Sequence, residues 1–240
     1  INSNMLRHSK SLVSEYTKLF NMIVVNQEIP SDFGNSRTLL LHKKGDQEDL
    51  NNFRPLSMLP LVYKLFTRVI NNRIEKHVER YLDANQTGFR AGYSTNDNIH
   101  TVTQLIEKAT EYNFPLYMAF VDFKKAFDMV EYNAIWASLK DAEVAEELIV
   151  TLQQLYANSR SAISLNGKEV PIEIGRGVRQ GDFISPKLFI LALHSALNGL
   201  QWEDRGFRFD GIHLSYLAFA DDLVLFSKNR TELEKMLSER

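Results

Sequence analysis

Hydrophobic positions along this chain fall into two rhythms, three-to-four-residue recurrence over long stretches and compact apolar runs between them, so helices and short strands should share the fold. Val13, Tyr16, Leu19, Phe20 and Ile23 predict a first helix over 12–25, ended by Ile29-Pro30. Residues 37–42 read as a strand running into the basic turn Lys43-Lys44-Gly45, and a polar loop covers 46–52. Leu61, Leu65, Phe66, Val69, Ile70, Ile74 and Val78 predict a long amphipathic helix over 61–81 with Arg68, Arg73, Lys76 and Arg80 between them. Ser94 or Thr95 should cap a helix reaching about Tyr112, with Asp97 near its positive end. Pro115 to Val121 is an apolar strand that delivers Asp122.

Helices are expected next over 131–141 and 145–156, then strands over 160–165 and 169–174 around the hairpin signal Asn166-Gly167. Ser185-Pro186 opens a helix reaching about Leu200; serine caps and proline is tolerated in the first turn. A hairpin over 217–226 and a last helix capped by Thr231 complete the order. No glycine-rich phosphate loop follows a strand, which argues against a dinucleotide fold. The order instead predicts an α+β architecture, an antiparallel sheet with helices packed on one side.

Composition narrows this little. Of 240 residues, 44% are hydrophobic and 24% charged, ordinary for a globular chain. The formal net charge of −2 offers no general attraction for nucleic acid. The first 110 residues carry 14 basic and 11 acidic side chains and the rest 14 and 19, which fits a phosphate-contacting half and a metal-binding half. Cysteine is absent, excluding disulfides and thiolate zinc sites and fitting an intracellular protein, nuclear or cytoplasmic. No apolar run is long enough to span a membrane and no secretory signal precedes the first helix, so no membrane partner is expected. The chain begins with Ile1, as a piece of a longer protein would.

The chemistry concentrates in Leu217 to Phe226, where Asp221 and Asp222 sit between two apolar runs and the nearest basic residues are Lys228 and Arg230. Carboxylates in such a setting are paired or hold metals. An exposed Asp-Asp turn is the plain alternative. Asp122 ends another apolar run, and a strand bringing it beside the hairpin would gather three carboxylates. They would repel one another unless cations intervened. Mg²⁺ suits an all-oxygen site completed by water and phosphate, and two such ions form a phosphoryl-transfer clamp, with Mn²⁺ as a substitute.

Ordered motifs carry a family resemblance: Arg54-Pro55 after the basic turn, Gln86 to Asp97, Val121-Asp122 to Phe127-Asp128 with Phe219-Ala220-Asp221-Asp222, and Gly177 to Phe189 between these two. Together they resemble the reverse transcriptases of non-LTR (LINE-type) retrotransposons, over about Ile29 to Ser227. The resemblance implies a right-hand fold: an N-terminal extension over 1–30, fingers over 31–112 and an antiparallel palm over 113–240. It implies RNA-directed DNA synthesis from an RNA template, a DNA primer and dNTPs. Asp122, Asp221 and Asp222 match the catalytic, metal-binding positions. Gln180, Gly181 and Phe127 match the nucleotide pocket, with Phe127 beneath the sugar. Arg54 and Lys43 or Lys44 match the triphosphate contacts, and Arg90 a template-phosphate contact; His42 stands where the family has proline.

A thumb and an endonuclease are expected elsewhere in the full-length polyprotein, so the isolated fragment should be weak or inactive. Rival readings are a group II intron or telomerase-like reverse transcriptase, a nucleotidyl cyclase, which has no place for the Gln180-Gly181 motif, and a non-catalytic RNA-binding scaffold derived from a polymerase.

Overall fold

A computed structural model describes residues 10–165, 168–200, 202, 204–209 and 212–239. In chain order the elements are α1 (Lys10–Asn26), α2 (Ser31–Gly34), β1 (Asn35–His42), β2 (Phe53–Met58), α3 (Leu61–Tyr81) and α4 (Thr95–Glu111). Then come β3 (Tyr117–Asp122), α5 (Ala126–Met129), α6 (Tyr132–Asp141), α7 (Glu146–Ala157), β4 (Arg160–Leu165) and β5 (Lys168–Ile172). Last are α8 (Ser185–Asn198), β6 (Phe207–Phe209), β7 (Ile212–Leu214), β8 (Tyr216–Phe219), β9 (Asp222–Ser227) and α9 (Arg230–Ser238). The chain divides into two compact units, Ile1–His77 with Phe127–Ser185 and Val78–Ala126 with Pro186–Arg240.

The first unit is built on a four-stranded sheet of order β2-β1-β4-β5. The hairpin β1–β2 is antiparallel, but β1 also pairs with β4 in parallel, Asn35 opposite Arg160 through Thr38 opposite Ile163. The Thr38 and Ser161 hydroxyls, 2.7 Å apart, fix that join from inside. Alternation marks each of these strands but names no partner across so long a loop, so a mixed sheet was not foreseen. Helix packing supplies the core: Phe20, Phe33, Tyr63, Phe66, Ile70, Ile149 and Leu152 are buried, with the Phe20 and Phe66 rings 5.0 Å apart. The expected turn Asn166-Gly167 lies outside the described residues.

The second unit carries the antiparallel sheet, of order β3-β9-β8. Its central strand, Leu223-Val224-Leu225-Phe226, is buried throughout because both faces are covered, not the one expected. Ala218, Leu223 and Leu225 cluster with Leu197 of α8 and with Leu233 and Met236 of α9. Leu217, Val224 and Phe226 cluster with Leu105 of α4 and with Phe207 and Leu214 of the small hairpin β6–β7. The caps explain where the helices start. Ser94 and Asp97 form a reciprocal capping box for α4. For α9 the cap is Asn229, accepting from Glu232 N, so this helix starts one residue before Thr231. Among the described residues no helix is long and apolar enough to cross a membrane.

Candidate active site

The second unit closes a gap of almost a hundred residues between the two carboxylate motifs. In the β3–β9 ladder Asp122 stands directly opposite Asp222, and Asp222 is also opposite Phe219 across the β8–β9 hairpin. Side chains at directly opposed positions lie about 5 Å apart at Cβ. Asp221 occupies the two-residue turn between them, after Ala220, whose φ of +57° is in the left-handed region. Asp122 and Asp222 are exposed and Asp221 is half-buried. Among the described residues no cation reaches them: Lys228 lies over the Phe207 ring and Arg230 pairs with Glu234.

A groove of about 470 Å³ borders this end of the sheet, lined by Asp122 and Asp222 together with Phe120, Leu217, Phe219 and Ile99 of α4. Phe120, two residues before Asp122 and so on its face, is 78% exposed. Among the described residues no three His, Asp or Glu side chains close into a ready-made metal cage. The donor set is nonetheless the right kind: carboxylate oxygens at one sheet end with no ion-pair partner among the described residues, open to the water and phosphate ligands that Mg²⁺ retains.

The residues matched to the nucleotide pocket belong to the first unit. Val178 N donates to Phe127 O at 2.8 Å and Gly177 N to Val130 O at 2.8 Å, laying the 177–181 stretch along the 127–130 stretch. Gly177 is needed for this approach, since a Cβ there would come within 2.8 Å of Asp128 backbone atoms. Gln180 Nε2 then donates to Asp128 Oδ1 at 2.7 Å. On the other side Ser57 N of β2 donates to Gln180 O at 2.8 Å, and Gly181, at φ +105°, leaves room for the Ser57 carbonyl. Phe127, Gln180, Gly181 and β2 are thus assembled in one place. Arg54 is exposed on β2 opposite Leu41. Lys43 and Lys44 are exposed on the loop of the same hairpin, held by Lys43 N donating to Asn52 O. None of the three cations has an ion-pair partner among the described residues.

Sequence reasoning passed over the support beneath this stretch. Asp182 is buried and accepts from Thr67 Oγ1 at 2.5 Å, Tyr63 Oη at 2.9 Å and Phe183 N at 2.7 Å. Burial lifts its carboxyl above the ordinary aspartate range, against those hydrogen bonds and the nearby Arg179 charge. Arg179 is buried too, with its guanidinium 4.9 Å from the centre of the Tyr63 ring. The only signal in the sequence was a charged pair flanking Gln180-Gly181 in otherwise apolar surroundings.

Arg90 is not a free cation. Its side chain is 5% exposed; Nε donates to Glu79 at 2.9 Å, Nη1 donates to the carbonyls of Asp83 and Gln86, and the guanidinium lies over Tyr93. Lys187, 8% exposed, donates to the same Glu79 at 2.6 Å. To meet a template phosphate, Arg90 would have to leave these partners; in this structure it braces the 79–93 segment.

Solved structures share this fold. A telomerase of Candida tropicalis truncated from its C-terminal domain superimposes with a TM-score of 0.64 over 95% of this chain and 51% of that one, at 14% identity. Residues 41–239 match the family described as reverse transcriptase (RNA-dependent DNA polymerase), and the chain belongs to that family. Its similar curated relatives place it in the non-LTR branch. The Pol polyprotein of the type-1 retrotransposable element R2 of Nasonia vitripennis is 35% identical over 92% of this chain, and the polymerase of the Drosophila melanogaster mobile element jockey is 25% identical over 90%. The chain spans about a fifth of the length of these relatives, 21% and 23%.

Proposed function

We propose that this chain is the fingers (31–112) and palm (113–240) of an RNA-directed DNA polymerase that extends a DNA primer with dNTPs along an RNA template. One observation carries the reading: Asp122 and Asp222 stand opposite each other in register with Asp221 in the adjoining turn, and among the described residues no ion pair neutralises them. Asp122, Asp221 and Asp222 would hold the Mg²⁺ ions. Bound there, such ions lower the pKa of the primer 3′-hydroxyl and offset charge on the triphosphate. The protein's own part is position. The sheet holds the carboxylates where backbone ladders cannot drift, and the groove beside them keeps an open approach for the primer terminus.

Gln180, fixed by Asp128, and Gly181 line the dNTP site, with Phe127 beneath the sugar. Arg54 with Lys43 or Lys44 meets the triphosphate as a cationic group with no ion-pair partner among the described residues. Within the polypeptide that carries this chain, dNTP incorporation should occur on a primed RNA template and require Mg²⁺ or Mn²⁺. Binding of RNA without incorporation would instead identify a scaffold that has lost the chemistry.

A further inference from the structure

The turn that presents Asp221 and Asp222 is gripped from outside its own hairpin. Ala218 N donates to Asn85 O at 2.8 Å and Thr87 N donates to Ala218 O at 3.0 Å, so the 85–88 segment runs beside β8 as a short parallel bridge. The Gln86 side chain, 1% exposed, carries that contact into the turn. Its Oε1 accepts from Ala220 N at 3.0 Å and from Gly88 N at 2.9 Å, while Nε2 donates to Ala220 O at 3.2 Å. A single amide therefore satisfies both backbone polar groups of Ala220. That residue is the left-handed one, a conformation that L residues other than Asn and Asp seldom adopt without support. Gly88 makes the grip close: a Cβ there would overlap Ala220 N and stand 2.8 Å from Ala220 Cα.

We propose that Gln86 is the positioning residue of the carboxylate turn. It holds Ala220 left-handed and thereby sets the direction in which Asp221 and Asp222 leave the sheet. This rests on the polymerase reading, because the aim of the carboxylates matters only if they bind ions together. It also explains why a glutamine and no other polar side chain suits the position: the turn offers one donor and one acceptor, and only a primary amide of that length answers both. A glutamine that merely satisfied buried polar atoms would affect stability alone.

The test compares the parent with Gln86→Met, which keeps the volume and loses all three bonds, and Gln86→Glu, which keeps the acceptor and loses the donor. Thermal melting gives the folded fraction. Mn²⁺ affinity, read from the electron paramagnetic resonance of the free ion, and primer extension kinetics are then expressed per folded molecule. Misplacing reacting groups by about 1 Å costs about a hundredfold in rate. We expect kcat to fall by about that factor in Gln86→Met, dNTP KM to stay near the parent value and Mn²⁺ to bind about tenfold more weakly. Gln86→Glu should fall between the two. Parent-like Mn²⁺ affinity and kcat in the folded fraction of both variants would overturn the assignment of Gln86 while leaving the polymerase reading intact. A parent that neither binds Mn²⁺ nor extends a primer would overturn both.

Discussion

Glu79→Gln asks whether Arg90 is a brace or a phosphate ligand. Glu79 accepts from Arg90 and Lys187, two cations whose side chains are 5% and 8% exposed. Glutamine is the same size, but its single oxygen can serve only one of them, and its NH₂ turns a donor toward the other. Leaving a buried charge without its partner costs about 3–5 kcal/mol. Glu79 itself is 29% exposed, so water can replace part of the loss and the low end, about 3 kcal/mol, applies. At about 2–4 °C per kcal/mol for a chain of this size, the melting temperature should drop by roughly 6–12 °C, measured by circular dichroism.

The effect has a pH signature. Burial pushes the Glu79 pKa up, but the hydrogen bonds and charges of Lys187 and Arg90 outweigh it and hold the carboxyl below the ordinary glutamate range. The contribution is therefore fully present above a pH of about 4.5 and is lost as pH falls through the lowered value, so parent and variant should converge in acid. Adding Arg90→Gln to Glu79→Gln should cost less than the two single losses summed, because both remove the same contact. A melting temperature within about 2 °C of the parent at neutral pH would refute the brace and return Arg90 to the template.

Other expectations follow from the first unit. Asp128→Asn removes the charged acceptor that fixes the Gln180 amide, a bond worth about 1.5 kcal/mol, so dNTP KM should rise about tenfold with kcat little changed; an unchanged KM would detach Asp128 from the pocket. Phe127→Val should open space beneath the sugar, leaving dNTP use partly intact while raising rNTP incorporation, and an unchanged dNTP-to-rNTP ratio in a folded variant would return Phe127 to a packing role. Asp182, whose carboxyl is raised by burial, contributes its stability below the ordinary value of about 4 and loses it as pH rises through the raised value, so Asp182→Asn should gain on the parent in thermal melts as pH rises above about 4; a pH-independent gap would show that the site does not desolvate the charge.

Periodicity in the sequence located the elements well because it reports burial directly. The 61–81 helix and the 160–165 strand are found at those bounds, and the apolar walls around Asp122 and Asp221-Asp222 did mark adjacent strands. What it could not report was partnership. Nothing in Thr38 or Ser161 announces a parallel join between β1 and β4, and the buried role of Arg90 depends on Glu79 and Lys187, the latter almost a hundred residues away. Gln86 shows the same limit: its three bonds reach Gly88 and Ala220, and only the proximity of a glycine hinted that something must come close.

Whether Asp221 helps hold ions for nucleotidyl transfer is decided by Asp221→Asn in single-turnover dNTP incorporation on a primed RNA template. The substitution keeps the turn's shape and removes one negative charge. Loss of several kcal/mol of transition-state stabilisation, at 1.36 kcal/mol per tenfold, predicts a rate about a thousandfold or more below the parent with folding unchanged. Incorporation within tenfold of the parent would show that Asp221 holds no ion needed for the transfer.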